Sequence, residues 1–247
     1  MRRRFFVDRF EANSATLSGD AAEHLGRVLR AEPGQLCELS DGNSVWLGRV
    51  ERVALSKRGG NRIEFSLVEH IPAREPWLHL HLLIAVVKFD RFEWCLEKAT
   101  ELGVTEIVPL AAARSDKSLV AAAWKRRARW KKIIFESAQQ SRRLRPPVLG
   151  AERGAVRPAN AFAQSGATLR LFFSERREAK PLREVLRGVK ASSAALAIGP
   201  EGGWTDDEIS SARASGFIET SLGDNILRTE TAVLAALAVL RFALSPE

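Results

Sequence analysis

Apolar and polar positions alternate in short runs through the first 71 residues, then give way to apolar blocks separated by helical periods. The segment QLCELSDGNSVWLGRVERV sets Asp41-Gly42 between two runs of period two, which predicts a β-hairpin, and NRIEFSLVEHI predicts a further strand. One short helix is expected near DAAEHLGRVLR, ahead of a turn at Pro33-Gly34. At IPAREP, Pro72 and Pro76 bracket polar residues and the pattern changes. Beyond it the strand-like runs LHLHLLIAVV, EIVPL, TLRLFFS, SAALAI and FIETSL alternate with helical segments: RFEWCLEKATELG, a basic helix, PLREVLRGV, a helix from Thr205 and a last one from Thr229 to Leu244. Such alternation predicts an α/β fold with a mostly parallel sheet covered on both faces. Two domains are expected, a small β-rich one over 1–72 and an α/β one over 73–247.

Two of the strands end in unusual loops. SAALAI is small and apolar, as suits a strand buried on both faces, and GPEGG follows it, leading to a helix start marked by the capping box Thr205 and Glu208. FIETSL is followed by GDNILRTETA, where Gly223 opens a loop, Thr229 can cap a helix and Glu230 suits its first turn. Ligands of parallel α/β sheets bind outside the carboxyl ends of strands, so both loops are expected to wall one pocket on the same edge of the sheet. Ile198, Gly199, Pro200, Glu201, Gly202 and Gly203 would form one wall. Leu222, Gly223, Ile226, Leu227 and Arg228 would form the other. Neither loop carries the dinucleotide fingerprint or a P-loop lysine, and a pocket of backbone groups with apolar side chains suits an adenine or thioether-like ligand better than a triphosphate. The alternative is a pair of tight turns that only reverse the chain.

Charge narrows the partners. The chain has 247 residues with 38 Lys and Arg against 30 Asp and Glu, a formal net charge of +8. That excess favours a polyanion such as nucleic acid, with acidic membrane surfaces as the alternative. In AWKRRARWKKIIFESAQQ, helical spacing puts Lys125, Arg129 and Lys132 on one face, while Trp124, Ile134, Phe135 and Ala138 turn away from it. The face either contacts RNA phosphates or is simply solvated. Cys37 and Cys95 are far apart, and His24, His70, His79 and His81 show no ligand spacing, so no metal is expected. Asp8 and Arg9 interrupt the signal-like start MRRRFFVDRF, and the longest apolar run, Ala232 to Leu240, is about half of what a membrane span needs. A cytoplasmic protein without a membrane segment is expected. AVLAALAVL is apolar nearly all round, which predicts a helix buried on several sides.

IGPEGGWTDDEI followed by LGDNILRTETA closely resembles the paired signatures of the 16S ribosomal RNA uridine N3-methyltransferases (RsmE), within the SPOUT class. HLGRVLR, EKATELGV at 97–104, RS at 114–115 and QQSRR at 139–143 extend the resemblance over nearly the whole chain. The family shows Glu-Gln-Ser-Gly-Arg where this chain has Gln139-Gln140-Ser141-Arg142-Arg143. The resemblance implies a PUA-like β-barrel at the N-terminus and a SPOUT-type α/β domain with a trefoil knot. It further implies a homodimer with the active site near the subunit interface, S-adenosylmethionine as methyl donor, and 16S rRNA or the small ribosomal subunit as partner.

Methyl transfer from a sulfonium to nitrogen is a displacement that needs positioning more than a protein nucleophile. Uridine N3 carries a proton, however, so a base or a cation stabilising the resulting anion is required. Arg228 is the first candidate, able to bind a base carbonyl or a phosphate, or else to form a salt bridge with Glu201 or Glu230. Glu201 and Glu230 can accept a proton or orient that arginine, and Glu230 can instead complement the helix dipole. Arg114 and Arg143, on loops, are expected to contact RNA. Two rival classes stay open: a non-enzymatic RNA-binding assembly factor, and a nucleotide hydrolase, which would lack a properly spaced phosphate-binding lysine.

Overall fold

The computed structural model describes residues 4–56, 60–152 and 154–246. It divides into two compact units, 1–75 with 138–146, and 76–137 with 147–247.

In the first unit, β1 (Arg4–Phe6), β2 (Ser14–Ser18), β3 (Leu36–Ser40), β4 (Val45–Ala54) and β5 (Arg62–Ile71) pair in the order β1-β3-β4-β5-β2. The β3–β4 hairpin turns where the sequence expects it. Asp41 Oδ1 accepts the amides of Asn43 and Ser44 at 2.9 and 2.8 Å, and Gly42 supplies the positive φ of 89°. Register shifts between β4 and β5 curl the sheet. Leu25, in the π-type turn that follows the short helix α1 (Gly19–Glu23), packs into a core with Phe5, Leu39, Ile63 and Phe65.

Residues 138–146 group with this unit rather than with the domain that the sequence reading extended over 73–247. The reason is ionic and non-local. Glu38 on β3, only 2% exposed, accepts Arg4 Nη2 at 2.9 Å and also pairs with the Arg142 guanidinium. Ser40 Oγ donates to the Leu144 carbonyl at 2.6 Å, and Arg145 pairs with Glu75. Arg142 itself sits at φ 55°, the left-handed region that a glycine takes freely.

The second unit contains β6 (His79–Ala85), α2 (Phe89–Glu101), β7 (Val104–Leu110), most of α3 (Lys117–Gln140), β8 (Val148–Leu149), α4 (Pro158–Gln164) and β9 (Leu169–Phe173). There follow β10 (Lys180–Pro181), α5 (Leu182–Val185), β11 (Ser193–Ile198), α6 (Asp206–Ala214), β12 (Ile218–Ser221) and α7 (Thr229–Ala243). All strand pairs are parallel, in the order β10-β12-β9-β11-β6-β7-β8. Alternate residues of β11 face opposite layers: Ala194, Leu196 and Ile198 join one core cluster, Ala195 and Ala197 the other. The small side chains of the second set leave room for the rings of Phe162, Phe172 and Trp204.

Two expectations change, and the strand order adds a third point. The helix expected in PLREVLRGV is only the four residues of α5. β9 lies between β11 and β12, a strand order on which the sequence carried no expectation. And α7 is not buried all round: Val233, Ala236, Leu237 and Leu240 pack inward, whereas Val239 and Phe242 are 40% and 86% exposed.

Candidate active site

A cavity of about 420 Å³ opens at the carboxyl ends of β9, β11 and β12, within the size range of small-molecule sites. Three loops wall it, because β9 stands between the other two strands. After β11, the chain turns at Pro200, whose carbonyl accepts the Gly203 amide at 2.9 Å, with Gly203 at φ 70°. The capping box follows: Thr205 Oγ1 accepts the Glu208 amide, and Glu208 accepts the Thr205 amide at 2.9 Å. After β12, Thr229 opens α7 and its hydroxyl donates to the Gly199 carbonyl at 3.1 Å, tying the two expected walls together. After β9, Ser174, Glu175 and Arg176 form the wall between them, and the Ser174 amide donates to the Thr220 carbonyl of β12.

Of the sequence-predicted pocket residues, Ile198, Gly199, Pro200, Glu201, Gly203, Leu222, Gly223, Ile226, Leu227 and Arg228 all line this cavity. Gly202 does not. A Cβ there would stand 3.2 Å from Arg114 Cβ, and its carbonyl accepts Arg114 Nη1 at 2.9 Å. A Gly202 side chain would therefore displace Arg114 instead of filling ligand space. Gly223, at φ 121°, faces open space, so its constraint is backbone conformation. Glu230 lies outside the lining, with Oε2 buried and without a hydrogen bond among the described residues.

The ion pairs are not those the sequence suggested. Arg91, on α2, donates to Glu201 at 3.0 Å and approaches Glu230 at 3.8 Å. Arg228, the exposed residue before α7, pairs with no acid among the described residues. The salt-bridge role weighed for Arg228 thus belongs to Arg91. Arg176 pairs with Asp206 at 3.0 Å. Burial pushes the thiols of Cys37 and Cys95 up to about 11 and about 12, the charge of Glu230 adding to the latter, which leaves neither suited to act as a thiolate. Among the described residues no group of three or more His, Cys, Asp or Glu is placed to hold a metal, and no helix is long and apolar enough to cross a membrane.

The expected RNA-contacting residues divide. Arg114 joins the cavity lining, and Arg143 belongs to the first unit. On α3, Arg129 donates to Glu93 at 2.7 Å, Lys132 approaches Glu136 at 3.9 Å, and Lys125 lies 5.8 Å from the Trp124 ring centroid. Trp124, expected to turn away from the basic face, is 60% exposed and does not enter the core. Trp130 takes that place, against Phe89 and Phe92. The sequence reading missed Arg91 and the loop after β9. The polar run Ser-Glu-Arg directly after TLRLFF was the available signal for the latter, since it follows a strand's carboxyl end.

Comparison with known proteins identifies the family. Residues 74–241 match the RNA methyltransferase domain, and residues 17–55 the RNA methyltransferase PUA domain. The ribosomal RNA small subunit methyltransferase E of Synechocystis sp. is 35% identical over 231 residues, covering 91% of this chain and 72% of that protein. Its Bacillus subtilis counterpart is 29% identical, covering 94% of this chain and 91% of the relative. A Legionella pneumophila protein solved in complex with the bound cofactor SAM superposes with a TM-score of 0.83 at 31% identity, covering 98% of both chains. The methyltransferase E of Neisseria gonorrhoeae bound to S-adenosyl methionine gives 0.82 at 29%, also covering 98% of both. The SPOUT-like parallel sheet, the PUA-like unit and the three-loop cavity thus occur in a chain that belongs to the ribosomal RNA small subunit methyltransferase E family.

Proposed function

We propose that this chain methylates N3 of a uridine in 16S rRNA, with S-adenosylmethionine as methyl donor and the small ribosomal subunit as partner. The observation that carries the reading is the cavity. Ile226 is 79% exposed on its rim, beside Leu222 and Leu227, and Gly199, Gly203 and Gly223 bring bare backbone to its walls. An apolar slot with free backbone groups fits a purine and a thioether, and offers no lysine for a triphosphate.

When bound, the sulfonium supplies an activated methyl group whose leaving group is a neutral thioether. The protein's own residues hold the donor between the loops after β11 and β12, while Arg228 and Arg114, whose guanidiniums remain at the cavity, face the polyanionic substrate. Arg228 is positioned to offset negative charge developing on the pyrimidine. The first unit, α3 and Arg143 would carry RNA contacts. A homodimer, to which the exposed face of α7 lends support, a trefoil knot and a cytoplasmic location complete the reading. A non-enzymatic assembly factor would leave the cavity without a purpose. The test is direct: calorimetry with S-adenosylmethionine, then mass mapping of small-subunit rRNA after incubation with donor. Failure to bind the donor, or methylation elsewhere than uridine N3, overturns the proposal.

A further inference from the structure

The carboxylates around the cavity differ in how they are engaged. Glu201 and Glu230 are held by Arg91, and Asp206 by Arg176. Glu208 is spent on the capping box and on the Ala113 amide, which donates to it at 2.8 Å. Glu201, Asp206 and Glu175 are all exposed and line the cavity, but of these Glu175 alone makes no hydrogen bond or ion pair with any described residue. Its loop is nevertheless fixed, by the strand before it and by the Ser174–Thr220 backbone bond. Its Oε1 lies 3.2 Å from the place a Cβ on Gly203 would occupy, and Arg114 Nη1 lies 3.8 Å from the same place. A carboxylate and a guanidinium therefore flank one small gap, kept open because residue 203 has no side chain. Arg114 is itself steadied by the Gly202 carbonyl.

We propose that Glu175 is the catalytic base that removes the N3 proton of the target uridine, with Arg114 joining Arg228 in offsetting the charge that appears on the pyrimidine. The inference rests on the uridine N3 reading above. The balance is simple. The N–H bond breaks and its proton passes to a Glu175 oxygen. The nitrogen lone pair forms the new bond to the methyl carbon as the carbon–sulfur bond breaks, its electron pair staying on sulfur as the neutral thioether. The carboxylic acid then returns its proton to water. A base must have an open lone pair within reach of the substrate, and a carboxylate already accepting from an arginine has less to offer. Glu201 already accepts from Arg91, Glu230 lies outside the cavity lining, and Glu175 has neither constraint.

The experiment uses the full-length chain as wild type, Glu175→Gln and Glu175→Asp, with small ribosomal subunits as substrate. Glutamine keeps the shape and removes the base. Single-turnover methylation should fall about 10²–10⁴-fold in Glu175→Gln. Calorimetric affinity for S-adenosylmethionine and binding of the subunit should both stay within about threefold, and Glu175→Asp should recover part of the rate. The pH profile is the further signature: nearly flat for wild type from about pH 7 to 8.5, but rising about tenfold per unit in Glu175→Gln, where hydroxide must take the proton. A Glu175→Gln rate within threefold of wild type, or a loss seen only as weaker donor binding, overturns the assignment of Glu175 while 3-methyluridine from the wild type leaves the function standing. A wild-type product other than 3-methyluridine overturns both.

Discussion

Trp204 and Gly199 compete for one space: a Cβ at residue 199 would stand 2.9 Å from both Cε2 and Nε1 of the indole. The indole cannot retreat freely, because Nε1 donates to the Phe173 carbonyl at 2.9 Å and the ring packs against Phe172. One contact thus joins the loop after β11 to the end of β9, two walls of the cavity. Gly199→Ala should cost about 1–3 kcal/mol by overpacking, or about 2–4 °C in Tm per kcal/mol at this chain length. Thermal unfolding checks the cost and calorimetry the accompanying loss of donor affinity. An unchanged Tm would show that the indole yields without penalty.

Among the described residues Arg228 has no acidic partner to lose. Arg228→Ala should therefore leave Tm within about 1–2 °C, as for other exposed substitutions, yet lower single-turnover methylation about 10²–10³-fold. Arg91→Ala should behave in the opposite sense, destabilising the fold because Glu230, 18% exposed, loses its counter-ion. Measuring Tm and rate on both variants separates the roles. A rate for Arg228→Ala within a few-fold of wild type would remove it from the chemistry.

Each phosphate contact from α3 should contribute about 0.7–0.9 to the salt slope of RNA binding. Lys125→Gln and Lys132→Gln together should flatten the slope, while Arg129→Gln adds little because Glu93 already engages that side chain at 2.7 Å. Donor affinity should not move. Filter binding across a salt series checks the slopes, and a wild-type slope in the double variant would mean that this face is merely solvated.

Acid should weaken the second unit through Glu106. The His81 ring donates to its carboxylate at 2.8 Å and holds the Glu106 carboxyl below its ordinary value of 4.5. The folded state then binds that proton less readily than the unfolded chain, so the contribution is complete above the ordinary value and is lost as pH falls through the lower folded one. Glu106→Gln should flatten the acid limb of a Tm-against-pH curve and leave the neutral region shifted but parallel. An acid limb as steep as wild type would assign the loss to other carboxylates.

Local signals were legible in the sequence, and distant ones were not. Thr205 and Glu208 are three positions apart, so the capping box and the helix start could be read directly. The glycines after SAALAI and FIETSL marked two walls because turn chemistry is written in adjacent residues. The third wall was missed because strand order is a property of the assembled sheet: nothing local says that β9 inserts between β11 and β12. Arg91 and Glu201 lie 110 positions apart, so their pairing took the place of the salt bridge expected for the nearer Arg228. Trp124 and Trp130 sit on one helix with similar apolar character, and only packing against Phe89 and Phe92 decided which is buried. Glu38 and Arg142, 104 positions apart, drew 138–146 away from its sequence neighbours.

The interleaving of β9 between β11 and β12 also orders events during synthesis. The lining runs from Arg114 to Ala232, and its last wall follows β12, the final strand of the sheet to be made. A nascent chain that has completed the loop after β11 holds two of the three walls and no enclosure. The donor can then be retained only after β12 has docked beside β9 and Thr229 has reached the Gly199 carbonyl, so its binding marks a chain whose sheet is complete.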